Sequence, residues 1–259
     1  GFEFTKWSNV GKQVDEIKHH FPGEEQNFVS YLDEMKMRFE KGKTAFLDRS
    51  FTNKADFWSL KNMSLLWKLK AYQSVKKQAE SFFENPRLQQ AFSFQTLYIG
   101  GAPFQSPALY SLVPFSEHYH GVWYVKGGYA SIIECLERKL IEHDVRILKN
   151  YEVKKLNVEN RVCKSVEANG DTFPFDQVVL NGDFPIIEKL LLNEKNRAKR
   201  YIPSSSCLLI YLGLNKIYKN NNIHQFFMTE DFNKHMNEVF VSKDLPTDPS
   251  LYTFHPSVL

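Results

Sequence analysis

The feature that most constrains this chain is a change of apolar period near Gly121. Before it, apolar residues recur every three or four positions, the spacing of helices with one buried face. After it, helical and alternating patterns mix, with turn signals between them. Val10, Val14, Ile17 and Phe21 form the first helical stripe, with Ser8 as the expected N-cap and Pro22-Gly23 as the stop. Phe28, Tyr31, Leu32, Met35 and Phe39 form a second stripe that ends near Gly42. A long aromatic segment, roughly Ala55 to Phe83, reads as a third helix, and Asn85-Pro86 then breaks the chain. Helical patterns return at Leu88–Ile99 and at Pro107–Tyr119, the latter with a proline in its first turn.

Past Gly121, Gly127-Gly128 precedes an amphipathic helix whose Ile132, Ile133, Leu136 and Leu140 face one way. A short strand is expected at Val145–Leu148, followed by β-like runs at Glu152–Val158 and Val162–Ala168. Asn169-Gly170 is the strongest hairpin signal in the chain, with Thr172–Phe175 returning as the paired strand. Gln177–Leu180 reads as an apolar strand ending in Asn181-Gly182-Asp183, and Ile186–Leu192 as a helix. Beyond the charged stretch Asn193–Arg200, Ser206–Leu214 reads as a buried strand with Gln225–Thr229 as its neighbour. Phe232–Phe240 looks helical, and Leu251–His255 begins a strand. The expected class is mixed α+β and α/β: a mainly helical region over 1–120, an α/β layer over 121–192 and a mixed segment over 193–259.

Composition narrows the function classes. At 259 residues, one or two domains fit. With 42% hydrophobic and 24% charged residues, a disordered tail, a collagen and a disulfide mini-protein are excluded. Three scattered cysteines without CxxC or zinc spacing point to a reduced cytoplasmic compartment. The longest apolar run, Cys207–Leu212, is far short of the roughly 20 residues of a membrane span, and no signal peptide opens the chain. A net charge of +3 does not argue for nucleic acid, and no nucleic-acid partner is expected. The 15% aromatic content can fill a core or line a greasy binding site. A start at Gly1 rather than Met and an end in mid-pattern at Leu259 suggest a piece of something longer.

Most candidate chemistry reads as structural. His118 and His120 sit two apart in a helical pattern, so they do not share a face, and no metal is expected. His19-His20 are placed to meet the last carbonyls of a helix. Ser204-Ser205-Ser206 lacks a G-x-S-x-G elbow, and Cys207 is expected as a small buried hydrophobe. Glu24-Glu25 and Asp33-Glu34 are expected on solvated helix faces. Gly100-Gly101 and Gly127-Gly128 are pairs without a G-x-G-x-x-G fingerprint, suited to plain turns or to close approach of the backbone to a cofactor. Lys54–Lys77 holds six lysines and one aspartate, with Trp58, Leu65, Leu69 and Tyr72 on one helical face beside Lys61 and Lys68. Such a helix can rest on an anionic membrane surface or pack as a core helix with a lysine edge.

Three runs together carry a resemblance. They are Phe92-Ser93-Phe94-Gln95-Thr96-Leu97-Tyr98-Ile99-Gly100-Gly101, then Pro103-Phe104 with Pro107 and Leu109-Tyr110-Ser111-Leu112, then Gly121-Val122-Trp123-Tyr124-Val125-Lys126-Gly127-Gly128. In order and spacing they resemble the signature of bacterial carotenoid desaturases, the phytoene desaturase group of flavoproteins, most closely its dehydrosqualene branch. Tyr151–Leu156, Asn181–Pro185, Ser206–Leu214 and Asp248–Tyr252 fit the same family. The family's opening G-x-G-x-x-G turn and its glycine-rich closing segment are missing, so the chain looks like the middle of a longer enzyme and is expected to be inactive by itself.

The resemblance implies a partial Rossmann-like FAD-binding layer of the amine-oxidase type, with helical and β substrate-domain segments. It implies FAD as cofactor, with Val153 pairing the adenine through its backbone and Gly127, Gly128, Asn181 and Asp183 near the cofactor. It implies desaturation of a C30 or C40 isoprenoid such as dehydrosqualene or phytoene. Phe92, Phe94, Tyr98, Tyr110, Trp123 and Tyr124 then line an apolar tunnel, with Gln95 and Lys126 as its polar neighbours; no catalytic base is assigned. A substrate dissolved in lipid further implies a peripheral enzyme on the inner face of the cell membrane. A related carotenoid oxidase or isomerase, or a lipid-binding module without activity, remain the alternatives.

Overall fold

The computed structural model describes residues 1–160, 162–183, 187 and 204–258. The chain opens with α1 (Val10–His20), α2 (Glu25–Gly42) and a π-turn over Lys43–Leu47. Then come α3 (Lys54–Phe57), α4 (Leu60–Lys68), α5 (Val75–Glu80) and α6 (Pro86–Ala91). Two 3-10 turns, Phe94–Ile99 and Ala108–Ser111, lead into α7 (Leu112–Tyr119), and α8 spans Tyr129–Glu142. β1 (Val153–Glu159), β2 (Val162–Ala168) and β3 (Asp171–Pro174) follow. β4 (His224–Phe227), α9 (Phe232–Asn237), a π-turn over Glu238–Ser242, β5 (Leu251–Phe254) and a 3-10 turn over Pro256–Val258 complete the order of the described elements.

Local chemistry explains most boundaries. Asn9, not Ser8, caps α1, its side-chain oxygen accepting from Lys12 N at 3.0 Å. The segment expected as one helix from Ala55 to Phe83 is three. Ser59 and Ser74 each start a new helix by accepting a backbone N–H, from Asn62 and Lys77. Between them Lys70 takes a left-handed backbone at φ 52. Asn85-Pro86 does not merely break the chain; it starts α6, with the Asn85 side chain accepting from Arg87 N. The expected helix at Leu88–Ile99 ends with α6, and a 3-10 turn takes over from Phe94.

The chain divides into two compact units, Gly1–Val122 with Ser204–Leu259, and Trp123–Pro203. In the first, Ile17, Phe21, Phe28, Tyr31, Met35, Phe83, Leu88, Phe92 and Phe115 form one buried cluster. Rings close it: Phe83 stacks on Phe92 at 5.0 Å, and Tyr31 lies 5.5 Å from both. Arg38 of α2 is buried, and there Nη1 donates to Leu69 O and Gln78 Oε1 and Nη2 pairs with Glu34. Lys70 reaches the same carboxylate at 3.1 Å. Glu24 is buried too, its Oε1 accepting the backbone N–H of Glu84 and Asn85 at 2.9 and 2.7 Å. Neither Glu24 nor Glu34 is therefore the simple solvated carboxylate expected from the helix pattern.

In the second unit, β1, β2 and β3 make an antiparallel meander in that order. Asn169 (φ 51) and Gly170 (φ 88) form the two-residue turn between β2 and β3, both left-handed as the hairpin signal requires. Three expected strands do not form: Val145–Leu148, Gln177–Leu180 and, in the first unit, Ser206–Leu214 have no ladder partner among the described residues. Leu208 through Leu212 are exposed, and so is Cys207, which is not the buried hydrophobe expected. Gln225–Thr229 contributes to β4, whose partner is β5 rather than Ser206–Leu214. An apolar run becomes a strand only when another edge takes its N–H and C=O groups. The helix expected at Ile186–Leu192 and the stretch Asn193–Arg200 lie outside the described residues, Ile187 apart.

Candidate functional site

The first unit carries an aromatic wall. The 3-10 turn sets Phe94 and Tyr98 with ring centroids 6.0 Å apart. The register of β4 and β5 puts Phe226 opposite Tyr252 and His224 opposite Phe254. Phe226 meets Phe94 edge-on at 4.8 Å, lies 6.2 Å from Tyr98 and stacks on Tyr252 at 4.6 Å. His224 stacks on Phe254 at 5.0 Å, and its Nδ1 lies 2.7 Å from the Tyr252 hydroxyl. Phe94 is buried, whereas Tyr98, Phe226 and Tyr252 keep open surface. Such a surface holds a flat apolar molecule by stacking and dispersion, without needing charge.

Next to this wall lies a cluster of polar groups. Lys6 Nζ pairs with Glu117 Oε2 at 2.6 Å, and each side chain keeps 21% of its surface exposed. Gln95, fully buried, donates from Nε2 to Ala91 O at 2.9 Å and to the same Glu117 oxygen at 3.4 Å. Burial and the nearby Glu117 carboxylate push the Tyr98 pKa well above the ordinary phenol value. Burial lowers the Lys6 pKa, and Glu117 opposes the shift. Lys6 Nζ lies 5.1 Å from the Phe92 ring centroid and 5.8 Å from that of Phe94. His118 is enclosed by Phe28 and Phe92, and burial together with the charge of Lys6 lowers its pKa to about 4, so it is neutral near pH 7.

The structure thus brings Phe94, Gln95 and Tyr98 together. Phe92 instead belongs to the core, with no exposed surface, so it supports the wall rather than lining it. Tyr110 is exposed on its own 3-10 turn. Sequence reasoning missed Lys6, Glu117, His224, Phe226 and Tyr252. The one available signal was Glu117, the lone acid in the mostly apolar and aromatic helix α7.

Trp123, Tyr124 and Lys126 belong to the second unit, where Trp123 is 86% exposed. Gly127 (φ 86) and Gly128 (φ 79) form the turn that opens α8. A Cβ on Gly128 would lie 3.1 Å from the Tyr124 hydroxyl. Val153 starts β1, an edge strand whose outer side has no strand partner among the described residues. That open edge offers the backbone donor and acceptor an adenine ring needs, and the Gly127-Gly128 turn leaves room for close approach; both fit part of an FAD. Asn181 and Asp183 are exposed in irregular chain. The sequence has no G-x-G-x-x-G turn for the pyrophosphate.

Comparison with known proteins then places the chain. The family described as flavin containing amine oxidoreductase matches residues 3–243. The chain is 46% identical over 259 residues to the 4,4'-diapolycopen-4-al dehydrogenase of Metabacillus indicus, covering all of this chain and 53% of the relative. It is 31% identical over 248 residues to the 4,4'-diapophytoene desaturase (4,4'-diaponeurosporene-forming) of Staphylococcus haemolyticus, covering 92% of this chain and 49% of the relative. The protein of the same name from Staphylococcus aureus strain Newman is 28% identical over the same shares. The chain spans about half the length of these curated relatives.

Proposed function

The chain belongs to the flavin containing amine oxidoreductase family, and on that premise we propose that the whole protein is an FAD-dependent oxidoreductase that desaturates a C30 or C40 isoprenoid in carotenoid synthesis. The observation that carries this reading is likeness along the whole chain, rather than in one motif, to relatives named for such substrates. When bound, FAD supplies the acceptor for a hydride leaving a carbon next to a double bond. This chain's own part is to hold and enclose. Tyr98, Phe226 and Tyr252, backed by the buried Phe94 ring, hold the polyene by stacking. The backbone of Val153 on the open edge of β1 takes the adenine, and Gly127-Gly128 lets the chain pass close to the cofactor. A second reading, oxidation at an oxygenated end of the polyene, is favoured by the 46% identity to a relative named for an aldehyde.

A lipid-soluble substrate places the enzyme at the inner face of the cell membrane. Trp58, Leu60, Trp67 and Tyr72 are exposed around α4, beside Lys54, Lys61 and Lys68. Among the described residues no helix is long and apolar enough to cross a membrane; the contact proposed for α4 is with the membrane surface. Lys70 takes no part, because it is tied to Glu34.

Two experiments test this. The whole-length protein, incubated with FAD and desalted, should retain flavin absorption and convert dehydrosqualene or phytoene to more conjugated products. Protein without flavin would support a lipid-binding module instead. Changing Lys54, Lys61 and Lys68 together to Glu should weaken sedimentation with anionic liposomes; unchanged sedimentation removes the membrane proposal.

A further inference from the structure

We propose that Lys6, Gln95, Tyr98 and Glu117 form a polar end-site that recognises an oxygen atom on the end of the polyene, a terminal aldehyde or its hydrate. The proposal rests on the carotenoid-oxidising reading above and adds to it which residues sort the substrates. A wholly hydrocarbon substrate has no use for a charged cluster at the edge of its aromatic wall, and a lysine and a glutamate are costly to cover there unless paired. Here they are paired, yet both remain partly open to a ligand.

The donor and acceptor inventory favours oxygen. Lys6 Nζ has three N–H donors, and the pair with Glu117 occupies one of them. Gln95 is fully buried, and its Oε1 has no hydrogen-bond partner among the described residues. An orphaned buried acceptor calls for a donor that the described protein groups do not supply. Its amide nitrogen and Lys6 Nζ meet at the same Glu117 oxygen, so a ligand donor site and a ligand acceptor site lie side by side. A carbonyl oxygen accepts from Lys6; the hydrate formed with water also donates to Gln95 Oε1. Tyr98 joins the two functions, because its ring is part of the wall and it lies on the same 3-10 turn as Gln95, which donates to Glu117. A polyene stacked along Tyr98, Phe226 and Tyr252 can therefore end at this cluster.

The test uses the whole-length, FAD-loaded protein with two C30 polyenes, one ending in an aldehyde and one a plain hydrocarbon. Equilibrium binding is followed by quenching of tryptophan fluorescence, and oxidation by kcat/KM. The unaltered protein should favour the aldehyde by about tenfold or more, because losing a hydrogen bond to a charged group costs roughly that factor. Lys6→Met and Glu117→Gln should reduce the aldehyde-to-hydrocarbon ratio by about tenfold, mainly through the aldehyde KM, and Lys6→Arg should restore much of it. Tyr98→Phe, which removes one hydroxyl from a half-open side chain, serves if the Lys6–Glu117 pair is needed for folding; it should lower the same ratio. Equal losses on both polyenes, or no initial preference for the aldehyde, would overturn the end-site. If neither polyene is oxidised but the binding ratio shifts as described, the end-site stands and the proposed activity falls.

Discussion

Two helical stripes with the same sequence signature end in opposite environments. On α1 and α2 the apolar stripe is covered: Ile17, Phe28, Tyr31 and Met35 have no exposed surface. On α8 the stripe is at least as regular, yet Ile132, Ile133, Leu136 and Leu140 are all exposed, Ile133 by 66%. Period forms the helix in both cases, since it reflects backbone geometry within a few residues. Burial needs a second surface, and α6, α7 and the 80s loop supply one to the first pair. The unpaired run Ser206–Leu214 repeats the lesson for strands.

Four measurements can break or sharpen that contrast. The largest effect belongs to the core: Phe92→Ala should cost about 3–5 kcal/mol, read as a lower urea midpoint. A loss below about 1 kcal/mol would show that the cluster around Phe92 is not the stabilising core described. Next comes pH. His118 is held near pKa 4 in the fold, against its ordinary 6.5 when unfolded. Between these values the unfolded chain binds more protons. Stability from the neutral, buried ring is therefore complete above pH 6.5 and is lost as pH falls toward about 4, by at most about 1.4 kcal/mol per pH unit. His118→Leu should flatten that slope, and a slope of the same size in the variant would assign it to another group. Glu24→Ala should cost about 1–3 kcal/mol by stripping the Glu84 and Asn85 N–H groups of their acceptor, visible as faster hydrogen exchange at those two amides. The smallest effect is expected on α8, where Ile133→Ala in the 259-residue chain should change stability by less than about 0.5 kcal/mol. A loss comparable to that at Phe92 would mean that the α8 stripe is covered in solution.

Much of the fold was legible. The extent of α2, the glycine pair before α8 and the Asn169-Gly170 turn all follow from residues close in sequence. Failures came where local signals compete or where a partner is required. Ser59, Lys70 and Ser74 divide a segment whose composition suits one helix, because side-chain oxygens and one left-handed residue end its backbone ladder. Of the candidate site, Phe94, Gln95 and Tyr98 were named from the desaturase-like run, and they sit four residues or fewer apart on one turn. Lys6 and Glu117 were not, being 111 residues apart in the chain and joined only by packing. Nor were Phe226 and Tyr252, which meet Phe94 and each other through the register of β4 with β5.

The sequence by itself determined the helices α1, α2 and α8, the Asn169-Gly170 turn and the family, since periodicity, turn chemistry and motif spacing are properties of neighbouring residues. Tertiary structure decided which apolar faces are covered, which carboxylates are buried and which polar groups converge beside the aromatic wall. Those outcomes depend on desolvation and pairing between distant segments, where a side chain's energy is set by what packs against it rather than by its neighbours in the chain.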